Sequence, residues 1–342
     1  MLGTLTKKIV EGQTISSTEA KEAMGDIMAG EATPAQIGAF LVAMRMAGER
    51  PEQIEGFARS MRENCIRIPY DGDDLVDTCG TGGDAMDTFN ISTAAALVAA
   101  GAGVKIAKHG NRSVSSQCGS ADVLAELEVD IDLSPEDIAA SIDACGIGFL
   151  FAPSLHPAMK YAIGPRRELG MRTVFNVLGP LTNPAGASRQ LLGVFAPELT
   201  EVIAEALQRL GSTHALVVHG LCGMDELSTL GPTRVSELKD GEVHTYELHH
   251  ADFGIPEASP DDIAGGGPIY SAAGLVSVLA GEAGPKRDIV AYNAGAAIYV
   301  GGRAEGIAEG IEMAQKSIES GAAMRVLHKL QAAGKTAAGE VR

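Results

Sequence analysis

From Leu75 onward, short apolar runs alternate with helix-forming segments, and this alternation leaves few folds open to the chain. Leu75-Val-Asp-Thr reads as a short strand, Ile91 to Ala102 as a helix and Val104-Lys-Ile-Ala107 as a strand. Ala121 to Leu127 is expected as a helix, and Ser134-Pro-Glu-Asp137 opens another. Gly148–Ala152, Leu191–Phe195 and His214–His219 are apolar runs typical of buried strands, the last two separated by a long helix expected over Glu198–Leu210. Strands joined through helices pair in parallel and are covered by those helices. One stretch departs from the rule. Asp240-Gly241 lies between strand-like runs at Val235 and Val243, which signals a hairpin. From Pro285 onward the chain is helical and rich in Ala, a composition suited to covering a surface.

Before Leu75 no strand pattern appears. Ser16-Ser-Thr-Glu19 and Thr33-Pro-Ala-Gln36 are capping boxes, the second with Pro34 at the favoured first helical position. Ile37, Phe40, Leu41 and Met44 follow at helical spacing until Gly48, and Pro51 starts a helix reaching Met61. The fold class expected is therefore α/β: a small N-terminal all-helical domain plus a large α/β domain with a mostly parallel central sheet. The division falls at 1–70 and 71–342. So short a bundle has more apolar surface than it can bury internally. That surface either supports self-association or packs on the chain's own large domain.

With 342 residues, the length also favours about two domains. A formal net charge of −17 argues against nucleic-acid partners. The N-terminus lacks an apolar core of signal-peptide length, and the most apolar run, Ala94 to Val104, is too short for a membrane span. Five scattered cysteines without a C-x-x-C pair read as reduced thiols in a cytoplasmic protein.

Against that acidic background, Thr88 to Ala121 contains no Asp or Glu, yet holds Lys105, Lys108, His109 and Arg112. The same region carries Gly80-Thr-Gly-Gly-Asp84, Asn90-Ile-Ser-Thr93 at a helix start, and Lys108-His-Gly-Asn-Arg-Ser-Val-Ser-Ser116. Free backbone N–H groups, a helix N-terminus, hydroxyls and cations together describe a phosphate cradle. Gly80, Gly82 and Ala85 fit a dinucleotide fingerprint, but the helix does not follow directly and no acidic residue comes twenty positions on. Asn90 is expected to cap the helix with its side chain. Asp225-Glu226, adjacent carboxylates after a buried strand, suit magnesium beside a phosphate site. Lys160, Arg166 and Arg167 form a basic segment, and arginine suits bidentate recognition of a carboxylate.

These motifs, together with Gly164-Pro-Arg-Arg-Glu-Leu-Gly170, occur in order and at fitting spacing over nearly the whole chain, which resembles the anthranilate phosphoribosyltransferase family. The resemblance implies transfer of a phosphoribosyl group from phosphoribosyl pyrophosphate to the amine of anthranilate, without a dedicated acid or base. It assigns Gly80, Gly83, Asp84, Thr88, Asn90, Ile91, Ser92 and Thr93 to the donor. Lys108, His109, Gly110, Asn111, Arg112, Ser113, Val114, Ser115, Ser116 and Ser120 complete that set. Ser92, Asp225 and Glu226 match magnesium ligands, with two ions expected. Gly80, Asn111 and Arg166 match acceptor contacts, and His109, His156, Tyr161 and Pro180 the acceptor's access path. A homodimer through the helical part is implied. Two departures stand out: Leu221-Cys222 where the family more often has acidic residues, and Glu128 in place of a common glycine. A pyrimidine nucleoside phosphorylase is the nearest alternative enzyme, but would not need Asp225-Glu226. A non-catalytic sensor of the phosphoribosyl ligand is a third reading.

Overall fold

Four helices open the chain: α1 (Leu2–Val10), α2 (Ser17–Ala29), α3 (Pro34–Ala47) and α4 (Pro51–Glu63). Both expected capping boxes form in the computed structural model, which describes residues 1–84, 86–113 and 117–339. The Ser16 hydroxyl accepts from the Glu19 N–H, and the Glu19 carboxylate accepts from the Ser16 N–H at 2.8 Å. α2 and α4 touch backbone to backbone, since a Cβ at Gly56 would lie 2.2 Å from the Ser17 carbonyl. The Phe40 and Phe57 rings meet edge to face at 6.0 Å inside this bundle. Its apolar surface continues into Val174–Leu181 and the buried face of a later helix carrying Ile203 and Leu207. Packing on the chain's own large domain thus absorbs apolar surface the bundle could not bury internally.

Seven strands follow: β1 (Leu75–Asp77), β2 (Lys105–Gly110), β3 (Ile147–Phe151), β4 (Arg189–Gly193), β5 (His214–Gly220), β6 (Thr233–Lys239) and β7 (Glu242–Leu248). They form one sheet in the order β3-β2-β1-β4-β5-β6-β7. The first five are parallel, and β6 and β7 add an antiparallel edge. Asp240 and Gly241 turn the β6–β7 hairpin with φ of 52° and 79°, the two positive values that a type I′ turn demands. The remaining helices are α5 (Ile91–Gly101), α6 (Ser120–Glu126), α7 (Pro135–Cys145), α8 (Ala152–Leu155), α9 (Lys160–Leu169) and α10 (Phe175–Leu178). They continue with α11 (Leu199–Arg209), α12 (Pro268–Leu279), α13 (Pro285–Val300), α14 (Ile307–Glu319) and α15 (Ala322–Gly339). No helix among the described residues is long and apolar enough to cross a membrane.

Three findings correct the sequence reading. β2 runs on to Gly110, because its pairing with β3 continues through Lys108↔Phe149 and His109↔Leu150. α12 was not anticipated. α13 is a core helix rather than a surface cover: Ile289 to Ile298 are buried, and Gly295 and Gly310 let α13 and α14 cross at backbone contact, where any Cβ would clash. Glu128 holds a left-handed φ of 58°, which explains why glycine suits that position.

The chain leaves β1 toward β2 on one side and later returns to place β4 on the other. That reversal opens a crevice beyond the carboxyl ends of β1 and β4, where ligands bind in sheets of this kind.

At the opposite end of the sheet, Glu237 ties β5, β6, β7 and α13 together. It accepts from His214 Nε2 at 2.9 Å, from the Tyr246 hydroxyl at 2.8 Å and from the Tyr299 hydroxyl at 2.8 Å. Burial pushes the carboxyl up, and these three donors more than reverse it, holding the group at about 2. A depressed acid contributes stability above its unfolded value, near 4.5, that is lost as pH falls toward 2. Glu237→Gln is therefore expected to cost about 1–3 kcal/mol at neutral pH. The variant should also lose less stability than the parent between those two pH values in urea titrations; parallel pH profiles would refute this role.

Candidate active site

Four strand ends deliver the candidate residues to the crevice. β1 ends at Asp77 and runs into Thr78-Cys79-Gly80; β2 carries Lys108 and His109; β4 ends at Gly193; the loop after β5 carries Asp225 and Glu226. The close approach of these segments requires glycine. A Cβ on Gly193 would overlap the Asp225 carbonyl oxygen at 1.5 Å, and one on Gly80 would reach the Asp225 carboxylate at 3.0 Å. The Gly80–Asp84 loop is then stitched across. Thr81 N–H donates to Gly193 O at 2.8 Å, Phe195 N–H donates to Thr81 Oγ1 at 3.1 Å, and Gly82 N–H donates to Asp225 Oδ2 at 2.8 Å.

Lys108 is 2% exposed, and its ammonium donates to the Thr78 carbonyl, the Thr78 hydroxyl and Ser92 Oγ at 3.2–3.3 Å. Burial lowers its pKa, while Asp77 and Glu226 work against that. The first turn of α5, at Ser92, acts to lower the pKa of Glu226. Asp225 and Glu226 are hemmed in by protein yet keep part of their surface open to the crevice. Asp84 joins them, accepting from the Asp225 N–H at 3.4 Å. Burial pushes Asp225 up to about 7, with Asp84 adding repulsion. Glu226 is raised well above the usual range by burial and by Asp225, with Lys108 opposing. Three hard oxygen donors that resist sharing negative charge form a set suited to a divalent cation.

Asp77 underpins the cradle from below. It accepts from the His109 N–H at 3.1 Å and from Asn183 Nδ2 at 2.8 Å, while Asn183 also donates to the Ala107 carbonyl. Burial lifts its carboxyl to about 6. Asp77, Cys79 and His109 bring ligand atoms within 4.8 Å of one another, but both Asp77 oxygens are already engaged.

The phosphate-loop expectation needs revision in three places. Lys105 lies at the start of β2, where it donates to the Ile142 and Asp143 carbonyls, away from the crevice. Arg112 is not free of carboxylates, since it pairs with Asp122 at 2.9 Å just past the acid-free stretch. Asn90 makes no capping bond with its side chain, which donates instead to the Cys118 carbonyl at 3.1 Å. Ser120 Oγ meets the Asn111 backbone at 3.3 Å, and Thr88 bridges to Ala264. Ile91 and Thr93 are buried in the first turn of α5, and Gly110 is packed against Ser120 and Phe149. Ser113 N–H donates to Asp122. Val114, Ser115, Ser116 and Ala85 lie outside the described residues.

On the side where the acceptor is expected, the His109 and His156 rings lie 5.1 Å apart. Burial and His156 lower His109 to about 3, and burial lowers His156 to about 4, so both are neutral at physiological pH. His109 Nδ1 faces the Gly179 carbonyl at 3.1 Å, next to buried Pro180. Arg166 is half-buried, stacks on the Phe175 ring at 5.0 Å and forms no ion pair among the described residues. Tyr161 lies against Gly30 at the end of α2, which brings the helical domain to this side. Leu221 and Cys222 are exposed, and the Cys222 thiol meets Ser228 Oγ at 3.3 Å.

Sequence reasoning missed Arg172, whose guanidinium donates to the Gly83 carbonyl and lies over the Phe195 ring. It missed Asn183 as well. Neither sits in a pattern that signals its long-range partner.

Residues 72–324 match the glycosyl transferase family a/b domain, and residues 4–65 match the helical bundle domain of the same family. The anthranilate phosphoribosyltransferase of Moorella thermoacetica is 53% identical over 97% of this chain and 98% of its own length. That of Thermus thermophilus superposes with a TM-score of 0.91 at 46% identity, covering 96% of this chain and 98% of that one. The Saccharomyces cerevisiae enzyme, solved in complex with PRPP and Mg, gives 0.90 at 30% identity, covering 98% of both chains. With both family domains matched and the likeness running over nearly the whole chain in sequence and in fold, the chain belongs to the anthranilate phosphoribosyltransferases of the glycosyl transferase family.

Proposed function

We propose that this chain transfers the phosphoribosyl group of phosphoribosyl pyrophosphate to the amine of anthranilate, releasing pyrophosphate, in the second step of tryptophan biosynthesis from chorismate. One observation carries the reading. Lys108, Ser92, Asp225 and Glu226 meet at the switch point of the sheet, where charge-matched groups await an anion and a divalent cation. The donor would lie along Gly80–Thr93 and Lys108–Ser120. Ser92, Asp225 and Glu226 would hold two magnesium ions, which when bound draw negative charge off the departing pyrophosphate.

The aromatic amine of the acceptor is neutral near pH 7, so no general base is needed to free its lone pair. The chain's task is to stabilise the departing charge and to orient the acceptor. Lys108 is already dry and fixed by three acceptors, so it costs little reorganisation as charge develops. Gly80 and Asn111 would flank the acceptor, and Arg166 would take its carboxylate. Neutral His109 and His156, with Tyr161 and Pro180, would line its path without adding charge. We assign the helical part, 1–70, to homodimer formation and to one wall of this path, and 71–342 to catalysis, in the cytoplasm.

Pyrophosphate release from phosphoribosyl pyrophosphate, measured with magnesium, should depend on anthranilate; release that ignores anthranilate would sink the reading. Replacing Asp225 by Asn together with Glu226 by Gln is expected to lower kcat/KM by about 10²-fold or more. The test is a magnesium titration, in which an unchanged metal dependence would remove the pair from the site. For Arg166→Ala, loss of a charge-assisted contact predicts an anthranilate KM raised about 10–100-fold with the donor KM little changed. Equal effects on both would move Arg166 out of the acceptor pocket.

A further inference from the structure

Asn293 sits in the middle of α13, fully buried among Ile289, Val290, Ala294 and Ala296. An amide in such surroundings opposes folding unless its hydrogen bonds are made. Here they are made, and two go to a single residue. Oδ1 accepts from the Leu227 N–H at 3.0 Å, while Nδ2 donates to the Leu227 carbonyl at 2.9 Å and to the Ile289 carbonyl at 2.9 Å. Gripping both the N–H and the C=O of one residue fixes its orientation as well as its distance. Leu227 directly follows Asp225-Glu226.

α13 is itself held. Gly295 and Gly310 bring it to backbone contact with α14, and the Tyr299 hydroxyl donates to Glu237 on β6. The same helix packs along α5, whose first turn carries Ser92. One rigid element therefore touches both halves of the acidic site: the loop with Asp225 and Glu226, and the helix whose Ser92 hydroxyl accepts from Lys108.

We infer that Asn293 is a positioning residue for the acidic pair, acting through the Leu227 peptide to set where Asp225 and Glu226 stand against Ser92 and Lys108. It thereby governs how tightly the pair holds a divalent cation. The inference rests on the metal assignment proposed above. An amide that only stabilised the core would lower stability and leave cation affinity unchanged, which separates the two roles.

The test uses the full chain and Mn2+ as the probe, with its binding followed by electron paramagnetic resonance in the presence of pyrophosphate. Asn293→Leu, close in shape, and Asn293→Ala are expected to weaken Mn2+ binding by about 10–100-fold, as losses of outer-shell partners do, with the anthranilate KM unchanged. Ile298→Ala, a cavity variant on the same helix, should lose stability while binding Mn2+ like the parent. Folded Asn293 variants with parental Mn2+ affinity would overturn the inference, as would an equal weakening in Ile298→Ala. Should the Asn293 variants fail to fold, amide hydrogen exchange on the unaltered, metal-free chain decides. The Leu227 N–H should exchange far more slowly than that of Gly82 in the exposed glycine loop, and equal rates would refute the pin. If the unaltered chain binds no Mn2+ with pyrophosphate, the metal assignment itself fails, a result distinct from loss of affinity in the variants alone.

Discussion

Three carboxylates and one ammonium crowd into a single crevice, and much of the structure serves to keep them there. Asp225 and Glu226 rise toward neutrality under burial, with Asp84 repelling both and Asp225 repelling Glu226, while Lys108 is pressed the other way by its own burial. Such a cluster opposes folding unless neighbouring dipoles or a cation compensate. The chain supplies part of the compensation: the Gly82 N–H donates to Asp225, and Lys108 is enclosed by Thr78 and Ser92 oxygens. The remaining deficit is what makes the crevice receptive to a divalent cation and an anion together. Electrostatic frustration in the free protein and affinity for ligand are the same quantity seen from two sides.

Holding this cluster demands backbone at distances that side chains would forbid. Gly193 and Gly80 carry that requirement, because the metal-pair loop and the glycine loop pass within contact of each other there. Beneath them, Asp77 and Asn183 lock the start of the glycine loop to β2 through buried bonds. The flexible-looking motif is thus mounted on a stiff base. Only its tip, reached by Arg172 at Gly83, is held by an exposed side chain.

Most of the architecture could be read from the sequence because local signals and global packing agree. Capping boxes at Ser16 and Thr33 formed as written, and Asp240-Gly241 turned the hairpin. Errors arose where a partner lies far away along the chain. Lys108 and His109 looked like loop because glycine and serine follow them, yet pairing with Phe149 and Leu150 extends the strand. The acid-free stretch seemed to offer Arg112 as a free cation, but Asp122, one residue past its end, folds back onto it. Asn293 carried no signal at all, since an asparagine in an Ala-rich helix looks like any polar surface residue until the helix proves to be buried.

The two sides of the crevice differ in how they are built, and that difference bears on the order in which ligands fit. On the proposed donor side, Lys108 and Asp77 are buried, hydrogen-bonded and fixed to strand ends before any ligand arrives. On the proposed acceptor side, Arg166 stacks on the Phe175 ring and forms no ion pair among the described residues, the Nε2 atoms of His109 and His156 meet no hydrogen-bond partner there, and Tyr161 leans on the helical domain. A preorganised phosphate cradle loses little entropy on binding, whereas the acceptor side gains its order from the ligand. A carboxylate entering there meets a cation that is not already neutralised. The neutral imidazoles impose no charge, so on the proposed reading the attraction for the acceptor's carboxylate comes from Arg166 and the basic helix that carries it.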